Sequence, residues 1–137
     1  ATLIEATTQV RVRYAETDMM GVVYNANYAI YFEVARTEMF RKIGMPYAEM
    51  ERNGVRLPVI DLHCRYYKSA YYDDLLTLTA RVKEMPKVKI VFEYEIRNEA
   101  GDLLADGYTT LAFMDIAKQR PIKMPEYVER VISKYFD

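Results

Sequence analysis

The sequence has few of the residues that enzymes use for covalent or metal chemistry. It contains one cysteine, Cys64, one histidine, His63, and two serines, Ser69 and Ser133. A single cysteine excludes a disulfide framework within one chain and is typical of a reducing compartment, so we expect a cytoplasmic protein. One histidine and one cysteine are too few for an ordinary zinc site, so no metal is expected.

Spacing and missing motifs exclude further kinds of site. His63 and Cys64 are neighbours on a predicted strand, so their side chains point to opposite faces and cannot form a dyad within one chain. Neither serine lies in a G-x-S-x-G elbow, and no G-x-G-x-x-G or phosphate-binding loop is present, so we expect no nucleotide cofactor. Cys64 shares a strand face with Ile60 and Leu62, which predicts that Cys64 is a small core residue.

The length and the charge of the chain limit what it can bind. A chain of 137 residues has the size of one domain with a real core, and we expect a single domain over residues 1–137. The formal net charge of −1 lacks the basic surplus of a nucleic-acid binder. No apolar run approaches the roughly 20 residues of a membrane span, and the N-terminal segment does not resemble a signal peptide.

Hydrophobic periodicity predicts the order of the elements. Residues 9–14 alternate as a half-buried strand, whereas residues 25–43 are apolar around more than one helical face, which predicts a long helix buried on most sides. Asn25 or Asn27 is a candidate cap for its start, and Gly44 should end it. Further helices are predicted at 47–52 and 125–136, further strands at 57–67, 75–84, 88–98 and 103–115, and a hairpin turn at 99–102.

This order of elements predicts an α+β fold. A five-stranded antiparallel sheet wrapped around the long helix would bury that helix. The outer face of such a sheet would carry Leu75 and Val91, which suggests that another subunit packs there.

The segment YAETDMMGVVYNANYAIYFEVAR, from Tyr14 to Arg36, holds the best candidate for catalysis. Asp18 lies in a loop that turns through Gly21 into the apolar helix, so its carboxylate would lie close to the free backbone N–H groups at the helix start. Such groups, with the helix dipole, stabilise the negative charge that develops when a carbonyl is attacked. Acids in glycine-containing loops also cap turns and helices, and spacing alone does not choose between the two roles.

This segment resembles the signature of the hot-dog-fold acyl-CoA thioesterases of the 4-hydroxybenzoyl-CoA thioesterase type. The matching residues are Asp18, Gly21, Val22, Val23, Tyr24, Tyr28, Phe32, Glu33, Ala35 and Arg36. The preceding VRVRYAETD, the later Tyr72-Asp73-Asp74 and the strand order resemble the same family, so the resemblance covers nearly the whole chain. It implies a hot-dog fold and the hydrolysis of a thioester to a carboxylate and a free thiol, with no metal or cofactor.

The resemblance implies roles for the residues around the helix start. Asp18 takes the place of the catalytic carboxylate, acting as nucleophile or as general base toward water. The backbone N–H of Asn25, or of its neighbour Tyr24, would hold the thioester oxygen. Many close relatives have histidine where this chain has Asn25, but the backbone N–H survives that change and the asparagine can still hydrogen-bond.

Two sets of residues are expected to bind the substrate. Those within the motif are Gly21, Val23 and Tyr28. Because coenzyme A carries several phosphate charges, basic residues should surround the entrance. The resemblance favours Lys87, Lys89 and Arg120, and an ordinary solvated surface is the alternative reading of each.

The resemblance further implies a homo-oligomer with active sites at subunit interfaces. Two protomers would form a dimer with a continuous sheet, and such dimers commonly pair into a homotetramer. The acyl donor is either acyl-CoA or an acyl-carrier-protein thioester, and the acyl chain is left open. The alternative is a non-catalytic acyl-group binding or scaffold protein on the same fold, which would have no need of Asp18.

Overall fold

A computed structural model describes residues 4–136, so the two ends of the expected domain, residues 1–3 and 137, lie outside the described residues. In chain order the elements are β1 (Ile4–Arg11), α1 (Asn27–Lys42), α2 (Tyr47–Arg52), β2 (Val55–Arg56), β3 (Val59–Tyr66), β4 (Leu75–Val82), β5 (Lys89–Arg97), β6 (Leu103–Ala112), β7 (Met114–Asp115), β8 (Arg120–Pro121) and α3 (Glu126–Ile132). Single 3-10 turns lie at Tyr14–Glu16 and Ser133–Tyr135.

Five strands form an antiparallel sheet in the order β1-β4-β5-β6-β3, and α1 packs on its inner face. Alternation buries one side of each central strand, including Leu76 and Leu78 of β4. Phe32 of α1 is fully buried and stacks on Tyr94 of β5, with the ring centroids 4.2 Å apart. The predicted five-stranded antiparallel sheet around one long helix is therefore confirmed.

The start of α1 differs from the prediction, whereas its end agrees. Neither asparagine caps the helix: Ala26 is the N-cap, and the side-chain amide of Asn27 donates instead to the carbonyl of Glu16 at 2.8 Å. After the last turn, Gly44 adopts a φ of +84°, a conformation that favours glycine. Burial on most sides is confirmed, since only Ile30, Glu33, Arg41 and Lys42 of α1 are exposed.

β1 lies further toward the N-terminus than predicted. It pairs with β4 from Ile4 to Arg11, and the register ends where β4 begins, at Leu75. The chain then turns into the 3-10 segment, so that Tyr14 is 77% exposed rather than half-buried in a strand. This early turn sets up the loop that follows it.

β3 is an edge strand with an open inner face. Among the described strands it pairs only with β6. Because α1 lies mainly over β1 and β4, Ile60 and Leu62 remain 52% and 45% exposed. Cys64, the predicted core residue of this face, is partly buried and packs against the core. An exposed apolar edge is a template for pairing with another chain.

A second, three-stranded sheet interrupts two of the predicted strands. β2, β7 and β8 pair in that order. The predicted strand over 57–67 therefore begins only at Val59, and the one over 103–115 is broken at Phe113, whose side chain is buried.

β6 approaches β3 most closely at Gly107. A Cβ at this position would lie 2.0 Å from the carbonyl oxygen of His63, so no larger residue fits without a backbone shift. On the outer face the His63 ring stacks on Tyr108, with centroids 5.4 Å apart. His63 is thus an exposed strand residue on the face of the sheet opposite α1. Val91, also on the outer face, is 46% exposed, as the strand pattern predicted.

Candidate active site

Asp18 lies in an exposed loop that is closed by hydrogen bonds between backbone groups of the loop. The Asp18 N–H donates to the carbonyl of Val22 at 2.8 Å, and the Gly21 N–H donates to the carbonyl of Asp18 at 3.0 Å. Gly21 has a φ of +79°, which other residues rarely adopt. A backbone bridge between Thr17 and Val23 closes the base of the loop. The turn at Gly21 thus fixes Asp18 a short distance before α1.

The two carboxylate oxygens of Asp18 have different surroundings. Oδ1 accepts hydrogen bonds from the N–H groups of Met20 at 2.8 Å and Val22 at 3.4 Å. Oδ2 accepts no hydrogen bond from any residue in 4–136, and the side chain is exposed. Asp18 therefore stabilises the turn with one oxygen and presents the other outward, so the structural and chemical roles are compatible.

The two candidate N–H donors at the helix start are not equivalent. The Tyr24 N–H donates to the carbonyl of Glu16 at 2.9 Å, so it is not available to a ligand. The Asn25 N–H makes no hydrogen bond within the described part of the chain. Of the two, Asn25 therefore presents the free donor.

A cleft of about 320 Å³ opens beside Asn25. Val23 and Tyr28, which are 5% and 3% exposed, form part of its floor. Tyr66 donates to the Asn25 carbonyl at 3.2 Å, and its ring meets Tyr28 edge-on with centroids 5.1 Å apart. Lys68 also borders the cleft. A mostly aromatic wall with one free N–H and one cation suits a ligand that is part apolar and part polar.

Two tyrosines near the helix start are held in the protonated form. Burial, together with the Cys64 thiol, raises the pKa of Tyr66 to about 12. Burial and the neighbouring Glu16 carboxylate raise the pKa of Tyr31. Both phenols therefore act as hydrogen-bond donors at neutral pH, and neither is suited to be a general base.

The three basic residues expected to bind coenzyme A lie at the other end of the sheet from Asp18. The Asp18 loop follows the end of β1 at Arg11, whereas Lys89 starts β5 opposite Ala112, the last residue of β6. Antiparallel pairing places these two positions at opposite ends of the strands in the sheet. The cleft therefore brings Val23, Asn25 and Tyr28 together, and Asp18 and Gly21 lie in the adjoining loop and not in its lining. Lys87, Lys89 and Arg120 are separated from all of them in one chain.

Two basic residues meet at what we call the basic end of the sheet, the region that carries Lys87, Lys89, Arg120 and Lys123. Lys87 and Lys123 line a shared cleft of about 330 Å³. The Met124 N–H donates to the carbonyl of Lys87 at 2.6 Å and ties the following segment to the start of β5. Lys89 in β5 and Arg120 in β8 are exposed and do not line this cleft.

Within residues 4–136, no helix has the length and apolar character needed to cross a membrane. In the same residues, no three histidine, cysteine or acidic side chains are grouped so that they could hold a metal ion.

One residue close to this site was missed by sequence analysis. Glu16 is only 8% exposed and hydrogen-bonds to the buried Tyr31. An acid at the end of an alternating strand gives no local sign that it will be buried, because its partner lies on another element. The segment from Tyr14 to Arg36 contains Glu16, but the spacing of its residues assigns Glu16 no role.

The antiparallel sheet around one helix matches solved thioesterase structures. The sequence profile of the thioesterase-like superfamily matches residues 12–132, so the chain belongs to this superfamily.

Individual relatives agree with this assignment. The "Putative acyl-CoA thioesterase YneP" of Bacillus subtilis is 36% identical over 115 residues, covering 84% of this chain and 83% of that protein. The "Acyl-CoA thioester hydrolase YbgC" of Escherichia coli O157:H7 is 32% identical over 119 residues, covering 87% and 89%. The crystal structure of a DHNA-CoA thioesterase from Staphylococcus aureus matches with a TM-score of 0.90 and 38% identity, covering 95% and 89%. The prediction of a hot-dog fold and of an enzyme of the acyl-CoA thioesterase family is confirmed.

Proposed function

We propose that this protein hydrolyses acyl-CoA thioesters with Asp18 as the catalytic carboxylate and the Asn25 N–H as the donor to the thioester oxygen. The observation that carries the proposal is the pairing of a carboxylate with one free oxygen and a helix start with one free N–H, joined by a short closed loop.

The chemistry follows from these two groups. The Asn25 N–H, aided by the dipole of α1, would stabilise the negative charge on the oxygen as the carbonyl carbon becomes tetrahedral. Asp18 would either attack that carbon, releasing the coenzyme A thiolate and leaving an anhydride for water to open, or accept a proton from the attacking water. In both cases water and the thioester give a carboxylic acid and a free thiol.

A panel of aromatic, short-chain and medium-chain acyl-CoA thioesters, with a chromogenic thiol reagent, tests this function. We expect the wild-type protein to release thiol from at least one of them. Release from none, nor from acyl-carrier-protein thioesters, would instead favour a non-catalytic acyl-group binding protein.

The separation of Asp18 from the basic end supports a site shared between two protomers. Antiparallel pairing of β3 with the β3 of a second copy would continue the sheet and cover Ile60 and Leu62. A two-fold axis through this edge would place the Asp18 end of one protomer beside the basic end of the other. We therefore infer that the functional unit is a homodimer, or a tetramer of two such dimers, with each site built from both protomers.

The basic end provides a prediction about KM. Replacing Lys87, Lys89 and Arg120 together with alanine should raise KM for acyl-CoA more than it lowers kcat, because these groups would meet the phosphates, whose binding changes little in the chemical step. The effect should shrink at high salt, since exposed charge pairs are screened. Steady-state kinetics at low and high salt measures both.

Two controls separate this effect from a general loss of charge. Replacing the exposed Arg52, Arg130 and Lys134 with alanine removes the same charge elsewhere and should leave KM unchanged. A small thioester without the nucleotide should be hydrolysed equally by both triple variants. An unchanged KM in the Lys87/Lys89/Arg120 variant at low salt would reject these residues and favour a carrier-protein donor.

A further inference from the structure

Glu16 is a buried carboxylate that the proposed reaction does not use. It is 8% exposed, and its Oε1 accepts the backbone N–H of Arg13 at 2.8 Å and the hydroxyl of Tyr31 at 3.1 Å. Its Oε2 lies 3.3 Å from the Arg13 guanidinium. Tyr31 is itself 2% exposed, so the pair joins the end of the first turn to the interior of α1. A carboxylate is rarely buried without such partners.

The backbone of Glu16 holds the segment that leads into the helix. Its carbonyl accepts the Tyr24 N–H at 2.9 Å and the Asn27 side-chain amide at 2.8 Å. The Glu16 carbonyl thus holds both ends of the stretch that contains Asn25, at Tyr24 and at Asn27. The Glu16 side chain, in turn, is anchored to Tyr31.

This arrangement sets the direction of the Asn25 N–H. That N–H and the Tyr24 carbonyl belong to one planar trans peptide group, so they point in opposite directions. The Tyr24 carbonyl accepts the Asn27 N–H at 2.9 Å, and Asn27 is in turn bonded to Glu16. With the carbonyl held toward the helix, the Asn25 N–H must point away from it.

Glu16 also neighbours the loop that carries Asp18. Thr17, the next residue, forms the bridge to Val23 that closes the base of this loop. The Asp18 carboxylate and the Asn25 N–H are therefore both positioned relative to the same buried residue, Glu16.

We infer that Glu16, anchored by Tyr31, is a positioning residue that holds the Asn25 N–H in register with the Asp18 carboxylate. It touches neither substrate nor water, and acts through the backbone on either side. The inference rests on the function proposed above. Small displacements of such groups reduce turnover strongly, because the stabilisation of an oxyanion depends on geometry fixed in advance.

Kinetics of three variants tests the inference. Glu16→Ala should lower kcat about 10- to 100-fold with KM changed by no more than about threefold, since the ground-state contacts remain. Glu16→Gln keeps an acceptor for Tyr31 and for the Arg13 N–H and should retain most of kcat. Tyr31→Phe removes only the hydroxyl and should lower kcat by an intermediate factor.

A binding measurement isolates the N–H donor from general stability. The probes are two non-hydrolysable acyl-CoA analogues, a ketone that keeps the carbonyl and a thioether that lacks it. Wild-type protein should bind the ketone more tightly, and this preference should diminish in Glu16→Ala and Tyr31→Phe while thioether affinity is unchanged. Tyr94→Phe is the matched control, because it removes another buried hydroxyl, bonded to Thr109 at 2.5 Å, and should preserve both kcat and the preference.

The outcomes separate this inference from the proposed function. Wild-type protein without thioesterase activity would reject the function itself. Active wild-type protein with normal kcat and an unchanged ketone preference in folded Glu16→Ala would reject only the role of Glu16. An equal loss of kcat in Tyr94→Phe at a matched melting temperature would also reject it, as would a loss confined to KM. If Glu16→Ala does not fold, the same criteria apply to Tyr31→Phe.

Discussion

Asp18→Asn should lower kcat about 100-fold or more while leaving the fold intact, because an amide supplies neither a nucleophilic oxygen nor a base. Its Oδ1 can still accept the N–H groups of Met20 and Val22, so the turn is preserved. Asparagine at this position thus removes the chemical role and keeps the structural one. Turnover of the best acyl-CoA, together with thermal unfolding, measures the two separately.

Two further variants complete the test of Asp18. Asp18→Ala should lose activity to the same extent and also lose stability of about 1 kcal/mol, since the turn loses its acceptor. Asp115 serves as the matched control, because its Oδ1 accepts the Lys118 N–H at 2.9 Å in a turn far from α1's start. Asp115→Asn should be fully active. Near-normal kcat in folded Asp18→Asn would mean that Asp18 only stabilises its loop.

Leu62→Asp should separate the protomers and lower kcat/KM for acyl-CoA about 100-fold, mostly through KM, because each site would lose the basic groups supplied across the interface. Leu62 is 45% exposed on the open face of β3, so aspartate is tolerated in the folded protomer. It would, however, place a charge in the apolar contact between two copies, where burial is unfavourable. Light scattering and turnover of the same sample measure assembly and activity together.

Val91→Asp is the matched control for Leu62→Asp. Val91 is 46% exposed but lies on the outer face, away from the open edge. We expect this variant to keep the β3-to-β3 dimer and its activity, even if dimers no longer pair into tetramers. A wild-type monomer at micromolar concentration, or a monomeric Leu62→Asp protein with normal kcat/KM for acyl-CoA, would contradict a site shared between protomers.

The regular part of the fold was predictable because it is periodic. β4 and β5 each carry an alternating face, and the core residues Leu76, Leu78 and Phe92 occupy the positions that alternation assigns. The two-residue strands β2 and β8 are too short to show any period, so the second sheet escaped prediction. Alternation also identified the face of Leu62 but contained no information about what covers it.

The site was only partly predictable, for a similar reason. The motif identified Asp18 and limited the N–H donor to Tyr24 or Asn25. The structure separates these two through a contact with the carbonyl of Glu16, which lies across the loop from Tyr24 and leaves no local pattern in the sequence. Likewise, the three basic residues were selected by resemblance, but only the strand register shows that they lie at the far end of the sheet.

That end-to-end separation makes two defective proteins, one impaired in kcat and the other in KM, able to repair each other. In a mixed dimer of an Asp18→Asn protomer with a Lys87/Lys89/Arg120→Ala protomer, one site carries both defects and the other carries neither. Random reassortment of equal amounts should make half of the dimers mixed, so about a quarter of all sites recover normal kcat and KM. Such complementation needs the acid and the basic end to come from different protomers, and it would be absent if both belonged to one.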